Sequence, residues 1–155
     1  MVADPKDNAV TPTPIPSEAA GTLIISPLSL LSNWTSQIEE HLQPSTLSVL
    51  VFHGSNKSDP KIDISDYDVV VTSYGTLVSD YKATGLGAKA KGSESSAPKK
   101  PRKSKRSLFG RIWRRVVLDE GHTIRNPNAK MSLAAESLEA VSRWTLTGLF
   151  DFLLH

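Results

Sequence analysis

The sequence predicts an α/β layered domain, a mostly parallel sheet with flanking helices. Three observations predict it. Short apolar runs rich in β-branched residues recur at 22–25, 47–52, 68–72 and 115–118. At 68–72 and 115–118 the apolar character is continuous rather than alternating, the pattern of strands covered on both faces. Between two of them Leu30, Leu31, Trp34 and Ile38 fall at helical spacing.

Residues 1–20 carry Pro5, Pro12, Pro14 and Pro16 among small polar residues. Proline removes amide donors and blocks helix and central strand, so this stretch is expected to be disordered. Residues 22–25 form a buried-strand signal closed by Ser26-Pro27. A helix is predicted over 28–41, with Pro44 just beyond its end. A second strand at 47–52 ends at His53-Gly54, and residues 55–66 are polar and rich in turn formers. The third strand is predicted at 68–72. Residues 108–113 precede a fourth at 115–118, a helix of good formers follows at 129–141, and a short fifth strand is placed at 144–146. Residues 82–107, rich in Gly, Ser, Ala, Pro and Lys, have no apolar period and cannot offset chain entropy by burial. They are expected to be a disordered basic insertion between two strands.

The chain has 155 residues, 39% hydrophobic and 22% charged, an ordinary globular balance for one domain. It has no cysteine, which excludes disulfides and thiolate metal sites. No apolar run approaches the ~20 residues of a membrane span, and residues 1–20, with Asp4, Asp7 and no apolar core, are not expected to act as a secretory signal. The net charge of +2 conceals an asymmetry: residues 82–115 hold 12 of the 18 Lys and Arg and a single acid, Glu94. One segment is suited to a polyanion or a receptor, and the remainder is acidic.

The sharpest local feature is Arg115-Val116-Val117-Leu118-Asp119-Glu120-Gly121-His122. It places two carboxylates at the carboxyl end of a buried strand, the edge where open α/β sheets bind ligands. Asp119 is suited to hold magnesium through water, and Glu120 to orient or deprotonate an attacking water. A strand ending in a polar turn explains the same residues, because Asp-Glu pairs are common.

Three further segments set this one in context. They are residues 22–34 with Ser26-Pro27 and Trp34, residues 68–74 ending Thr72-Ser73-Tyr74, and residues 143–148 with Thr147-Gly148. In this order, with Asp119-Glu120-Gly121-His122 and the following Ile124-Arg125-Asn126-Pro127-Asn128, the segments resemble the first motor lobe of Swi/Snf-type superfamily-two helicases, most closely the helicase-like transcription factor group. The resemblance covers residues 21–148 apart from the insertion. It implies a RecA-like lobe, ATP and magnesium as cofactors, DNA as a partner gripped by its backbone, work in DNA repair or chromatin remodelling, and a nuclear location. By residue, it implies DNA contact at Ser26 and Pro27 and at Thr72, Ser73 and Tyr74. It assigns the magnesium and water-activating pair to Asp119 and Glu120. His122 is the link from nucleotide state to Thr147 and Gly148. Taken singly, each residue has a structural explanation: a strand stop at Ser26-Pro27, packing at Tyr74, a turn at His122.

The resemblance divides the chain into a tail at 1–20, lobe segments at 21–81 and 108–148 around the 82–107 insertion, and a divergent end at 149–155. There are three departures from the family pattern. No Gly-Lys-Thr or Gly-Lys-Ser occurs, although phosphate cradles in such motors depend on one. After Thr147-Gly148 the chain continues Leu149-Phe150 in place of a small residue and proline. The 155 residues themselves include no second lobe to supply an arginine finger, which alone is worth ~10³–10⁵ in rate. The expectation is an incomplete lobe, inactive alone, from a truncated gene, a pseudogene or a split gene. Because RecA-like lobes carry the phosphate-loop strand inside the sheet, its loss is expected to leave a gap between elements that normally pair, giving a rearranged smaller sheet or a marginal, aggregation-prone product. Two other readings stay open: a noncatalytic DNA-binding module, and a subunit completing a lobe supplied by another chain.

Within the insertion, Lys99, Lys100, Arg102, Lys103, Lys105 and Arg106 put six cations in nine residues, resembling a nuclear-import signal or a nonspecific DNA patch. A fluorescent fusion of the chain is expected to concentrate in the nucleus and to lose that enrichment when residues 98–106 are deleted. Equal nuclear signal after deletion would exclude import by this run.

Overall fold

The computed structural model describes residues 15–86, 104–124, 126 and 129–147. The chain enters as β1 (Ala20–Ser26), makes a 3-10 turn at Leu28–Leu30 and continues as α1 (Leu31–His41). It then forms β2 (Val49–Val51), β3 (Val69–Ser73), α2 (Tyr74–Ala83), β4 (Trp113–Asp119), α3 (Lys130–Glu136) and β5 (Ala140–Leu146). The strands make one sheet in the order β2-β3-β1-β4-β5, and all four pairings are parallel. The predicted α/β class is the observed one.

Continuous apolar strands bury both faces. Leu23 and Ile25 of β1, with Leu50, Phe52, Val70 and Val116, point to the face covered by α2 and α3, where Leu77, Tyr81, Ala134, Ala135 and Leu138 meet them. Ile24, Val69 and Val71 point the other way, against Leu31, Trp34 and Ile38 of α1. Each fully buried Leu, Ile or Val side chain contributes about 1.5–3 kcal/mol. Trp113, fully buried, donates its indole N–H to the Leu108 carbonyl at 2.9 Å.

Several expectations require correction. The helix predicted over 129–141 ends at Glu136, and β5 starts at Ala140 rather than 144. Good helix formers misled there: Val141 is already extended, paired in register with β4. The helix α2 was not predicted. Tyr74, Leu77, Val78 and Tyr81 stand at helical spacing along it, and Ser73 caps it by accepting from the Thr76 amide at 3.2 Å. Residues 82–86 belong to that helix and its end, not to an insertion.

At the other boundary Ser107 is buried, and residues 104–107 are pinned to the lobe. The Lys105 carbonyl accepts from the Ile64 amide at 3.0 Å, and the Lys105 ammonium lies 3.3 Å from Asp63. Composition marked residues 104–107 as unable to pack, but backbone bonds and one buried carboxylate hold them. The expected gap is absent as well. The five strands pair without interruption, because β1 takes β3 on one side and β4 on the other. The exposed side is the β5 edge, with Val141, Trp144 and Leu146.

Asp80 ties α2 to the returning chain. Its Oδ2 accepts from the Leu108 amide at 2.8 Å and from the Ser107 hydroxyl at 3.0 Å. Burial holds its carboxyl above the ordinary value of 3.8, against the opposing effect of those bonds and of Lys57. A carboxyl raised in the folded state adds stability below its unfolded value, and that stability is lost as pH rises through the folded value. Measured by thermal unfolding from about pH 4 to about pH 7, the wild type is expected to lose stability relative to Asp80→Asn. A difference independent of pH would contradict this.

Candidate functional site

In a parallel sheet all carboxyl ends share one edge, and here that edge gathers the chemistry-bearing residues. Ile25 is level with Thr72 on one side and Leu118 on the other, and Leu118 is level with Thr145. The turns after β1, β3, β4 and β5 therefore sit side by side. They carry Ser26-Pro27, Ser73-Tyr74, Asp119-Glu120 and Thr147. Gly148, Lys99, Lys100, Arg102 and Lys103 lie outside the described residues.

Asp119 ends β4 half-buried. Its Oδ2 accepts the Trp34 indole N–H at 2.8 Å, and its Oδ1 accepts the Glu120 amide at 3.0 Å. The Tyr74 hydroxyl donates to the Asp119 carbonyl at 2.8 Å. Burial, with the charges of Asp119 and Glu120, pushes the Tyr74 phenol up to about 12, so it stays a donor. Glu120 has a backbone φ of 50°, left-handed for a non-glycine residue. That conformation costs about 1–2 kcal/mol and recurs where backbone strain serves a site. Glu120 Oε2 lies 3.0 Å from His122 Nδ1. The glycine between them has a steric reason: a Cβ at Gly121 would overlap the Thr145 γ-methyl on β5.

The expected DNA-contacting residues shape their turns from within. Ser26, Thr72, Ser73 and Tyr74 are buried. Thr72 donates to the Phe52 carbonyl at 2.8 Å, and Ser26 to the Pro27 carbonyl at 3.2 Å. What these turns offer outward is Leu28, Ser29 and Gly75. Beside them lies a cavity of about 540 Å³ lined by Pro27, His53, Lys57, Ser73, Thr76 and Ser79, among others. His53 Nδ1 lies 2.8 Å from the Thr76 hydroxyl, and the Lys57 ammonium donates to Ser79 at 2.7 Å. Sequence reading passed over His53, Lys57 and Thr76. The available signal was His53-Gly54 at a strand's carboxyl end, the edge where ligands bind.

The model of the SNF2-related domain matches residues 7–149. The chain belongs to the SNF2-related domain family. DNA repair protein RAD5B of Arabidopsis thaliana is 39% identical over 129 residues, covering 83% of this chain and 9% of that protein. Helicase-like transcription factor of Oryctolagus cuniculus is 40% identical over 129 residues, 82% of this chain and 11% of its own length. The Sulfolobus solfataricus SWI2/SNF2 ATPase core in complex with dsDNA superposes with a TM-score of 0.60 at 28% identity, covering 85% of this chain and 22% of that one. The sheet is accordingly a RecA-like SNF2 lobe, and this SNF2-related domain spans about a tenth of the length of these curated relatives.

Gly121→Ala is expected to destabilise the SNF2-related domain by ~1–3 kcal/mol, the usual range for overpacking. Thr145→Ser removes the opposing methyl and is expected to recover most of that loss in the double variant. Chemical unfolding of the four proteins checks this, and additive costs would contradict it.

Proposed function

We propose that this chain is the DNA-contacting, acidic-pair portion of an SNF2-type ATP-dependent DNA translocase, serving DNA repair or chromatin remodelling in the nucleus. One observation carries the reading. The turns after β1 and β3 converge with Asp119 and Glu120 on one sheet edge, joined by the Trp34 and Tyr74 hydrogen bonds. The neighbour of known structure, an ATPase core bound to dsDNA, supports duplex DNA as the partner. Contact would run through backbone amides at the two turns and through Lys57 and His53 in the adjoining cavity, with no base edge read. The basic run ending at Lys105 and Arg106, both exposed, supports import or added phosphate contact.

The residues fit magnesium but not a triphosphate. Asp119 offers hard oxygen, and each carboxylate oxygen keeps a lone pair beyond the bonds to Trp34 and Glu120. Held there through water, magnesium would supply charge neutralisation for phosphoryl transfer. No Gly-Lys-Thr or Gly-Lys-Ser is present to cradle the phosphates, so the 155 residues alone form no hydrolytic site. A noncatalytic DNA-binding module is the second reading, favoured by Lys57 in the cavity beside the turns.

The purified chain is expected to bind a fluorescent duplex in an anisotropy titration, with affinity falling as salt rises. It is expected to release no phosphate from ATP with magnesium and DNA. DNA-stimulated release abolished by Glu120→Gln would overturn the inactivity, and salt-insensitive or absent DNA binding would overturn the DNA reading.

A further inference from the structure

We propose that Trp34 is a positioning residue for Asp119, and that with Tyr74 it makes the acidic strand tip report on DNA held at the β1 and β3 turns. The proposal rests on the DNA reading above. It starts from an arrangement that packing alone does not require. Trp34 lies on α1, 85 residues before Asp119, and is only partly buried against Ile24, Leu31 and Val71. Its indole nevertheless points its single N–H at Asp119 Oδ2, at 2.8 Å. Leu30, Asn33 and Gln37, all near Trp34 on the same stretch of chain, line a cavity of about 360 Å³ that also reaches Asp119. The carboxylate is therefore accessible and still held in one orientation.

The chemistry of the donor matters. An indole is neutral and donor-only. It fixes the direction of the carboxylate without cancelling the charge a cation would need. A lysine or arginine in the same place would compete with that cation. Tyr74 completes the arrangement by gripping the Asp119 carbonyl from the start of α2. The side chain of Asp119 is thus tied to the element after the first turn, and its backbone to the element after the second. Displacement of either turn is transmitted to Asp119 through one rigid aromatic ring, and Glu120, already in a strained conformation, follows next in the chain.

The test is NMR on the whole ¹⁵N-labelled chain. Without DNA, the Trp34 indole proton is expected to exchange with solvent about tenfold more slowly than that of exposed Trp144, and Asp119→Ala is expected to abolish the difference. On adding a short duplex, the Gly75 and Leu28 amides are expected to shift, and the Glu120 and Gly121 amides with them. Trp34→Phe keeps an aromatic ring but removes the donor. It is expected to leave the Gly75 and Leu28 response and its midpoint in place, while cutting the Glu120 and Gly121 response about threefold or more. Tyr74→Phe, which keeps its ring in the core, is expected to weaken the same response independently. An unchanged Glu120 and Gly121 response in Trp34→Phe, or indole exchange indifferent to Asp119→Ala, overturns the positioning role while the DNA reading stands. No shift at Gly75 and Leu28 in the wild type overturns the DNA reading, and the coupling with it.

Discussion

The parallel register of β4 between β1 and β5 is the constraint on which the rest of the molecule depends. Val117 level with Ile24 on one side and with Trp144 on the other sends the ends of all three strands to the same edge. From that alignment follow the side-by-side turns, the closeness of Gly121 to Thr145, and the reach of Trp34 and Tyr74 to Asp119. A slip of one residue would turn every β4 side chain to the opposite face and take the acidic pair out of reach of both aromatic donors. Burial of Val116 on one face, with Val117 against the α1 cluster on the other, holds the register.

The edge combines rigidity with local strain. The buried hydroxyls of Ser26 and Ser73 have partners within their own turns, that of Thr72 bonds the Phe52 carbonyl beyond β2, and among the described residues no buried side-chain polar atom lacks a partner. The turns are thus stiff, and Glu120 is held at a positive φ by firm neighbours on both sides. The lateral edge of the sheet at β5, where Leu146 is level with Asp119, is different. The β5 edge exposes Trp144, Val141 and Leu146 along a strand paired on one side only, leaving backbone groups and apolar surface available.

Much of the fold was legible because its strands are covered on both faces. Continuous apolar runs at β1, β3 and β4 have few competing explanations, and each was placed within a few residues. The errors lie where local and tertiary preferences part. Residues 137–141 read as helix by composition, but pairing with β4 makes Ala140 and Val141 strand. The helix α2 carries Tyr74, Leu77, Val78 and Tyr81 at helical spacing, but it is short and follows β3 without a break, so its period merges with the strand run. Residues 104–107 read as too polar to pack, and a buried Asp80 supplied the partner that made packing possible. In the candidate site Asp119, Glu120 and His122 stood out as a motif. Trp34 read as part of an apolar helix face and as the end of a family segment, because nothing local connects it to a carboxylate 85 residues away.

By itself the sequence determined the layered class, the acidic pair at a strand end and the family, since these depend on residue type and short-range order. The tertiary structure alone decided which side chains meet: the indole on the carboxylate, the phenol on the carbonyl, the methyl against the glycine. Such contacts depend on strand order and register, which come from the summed burial of two sheet faces and leave no mark in any short window of sequence.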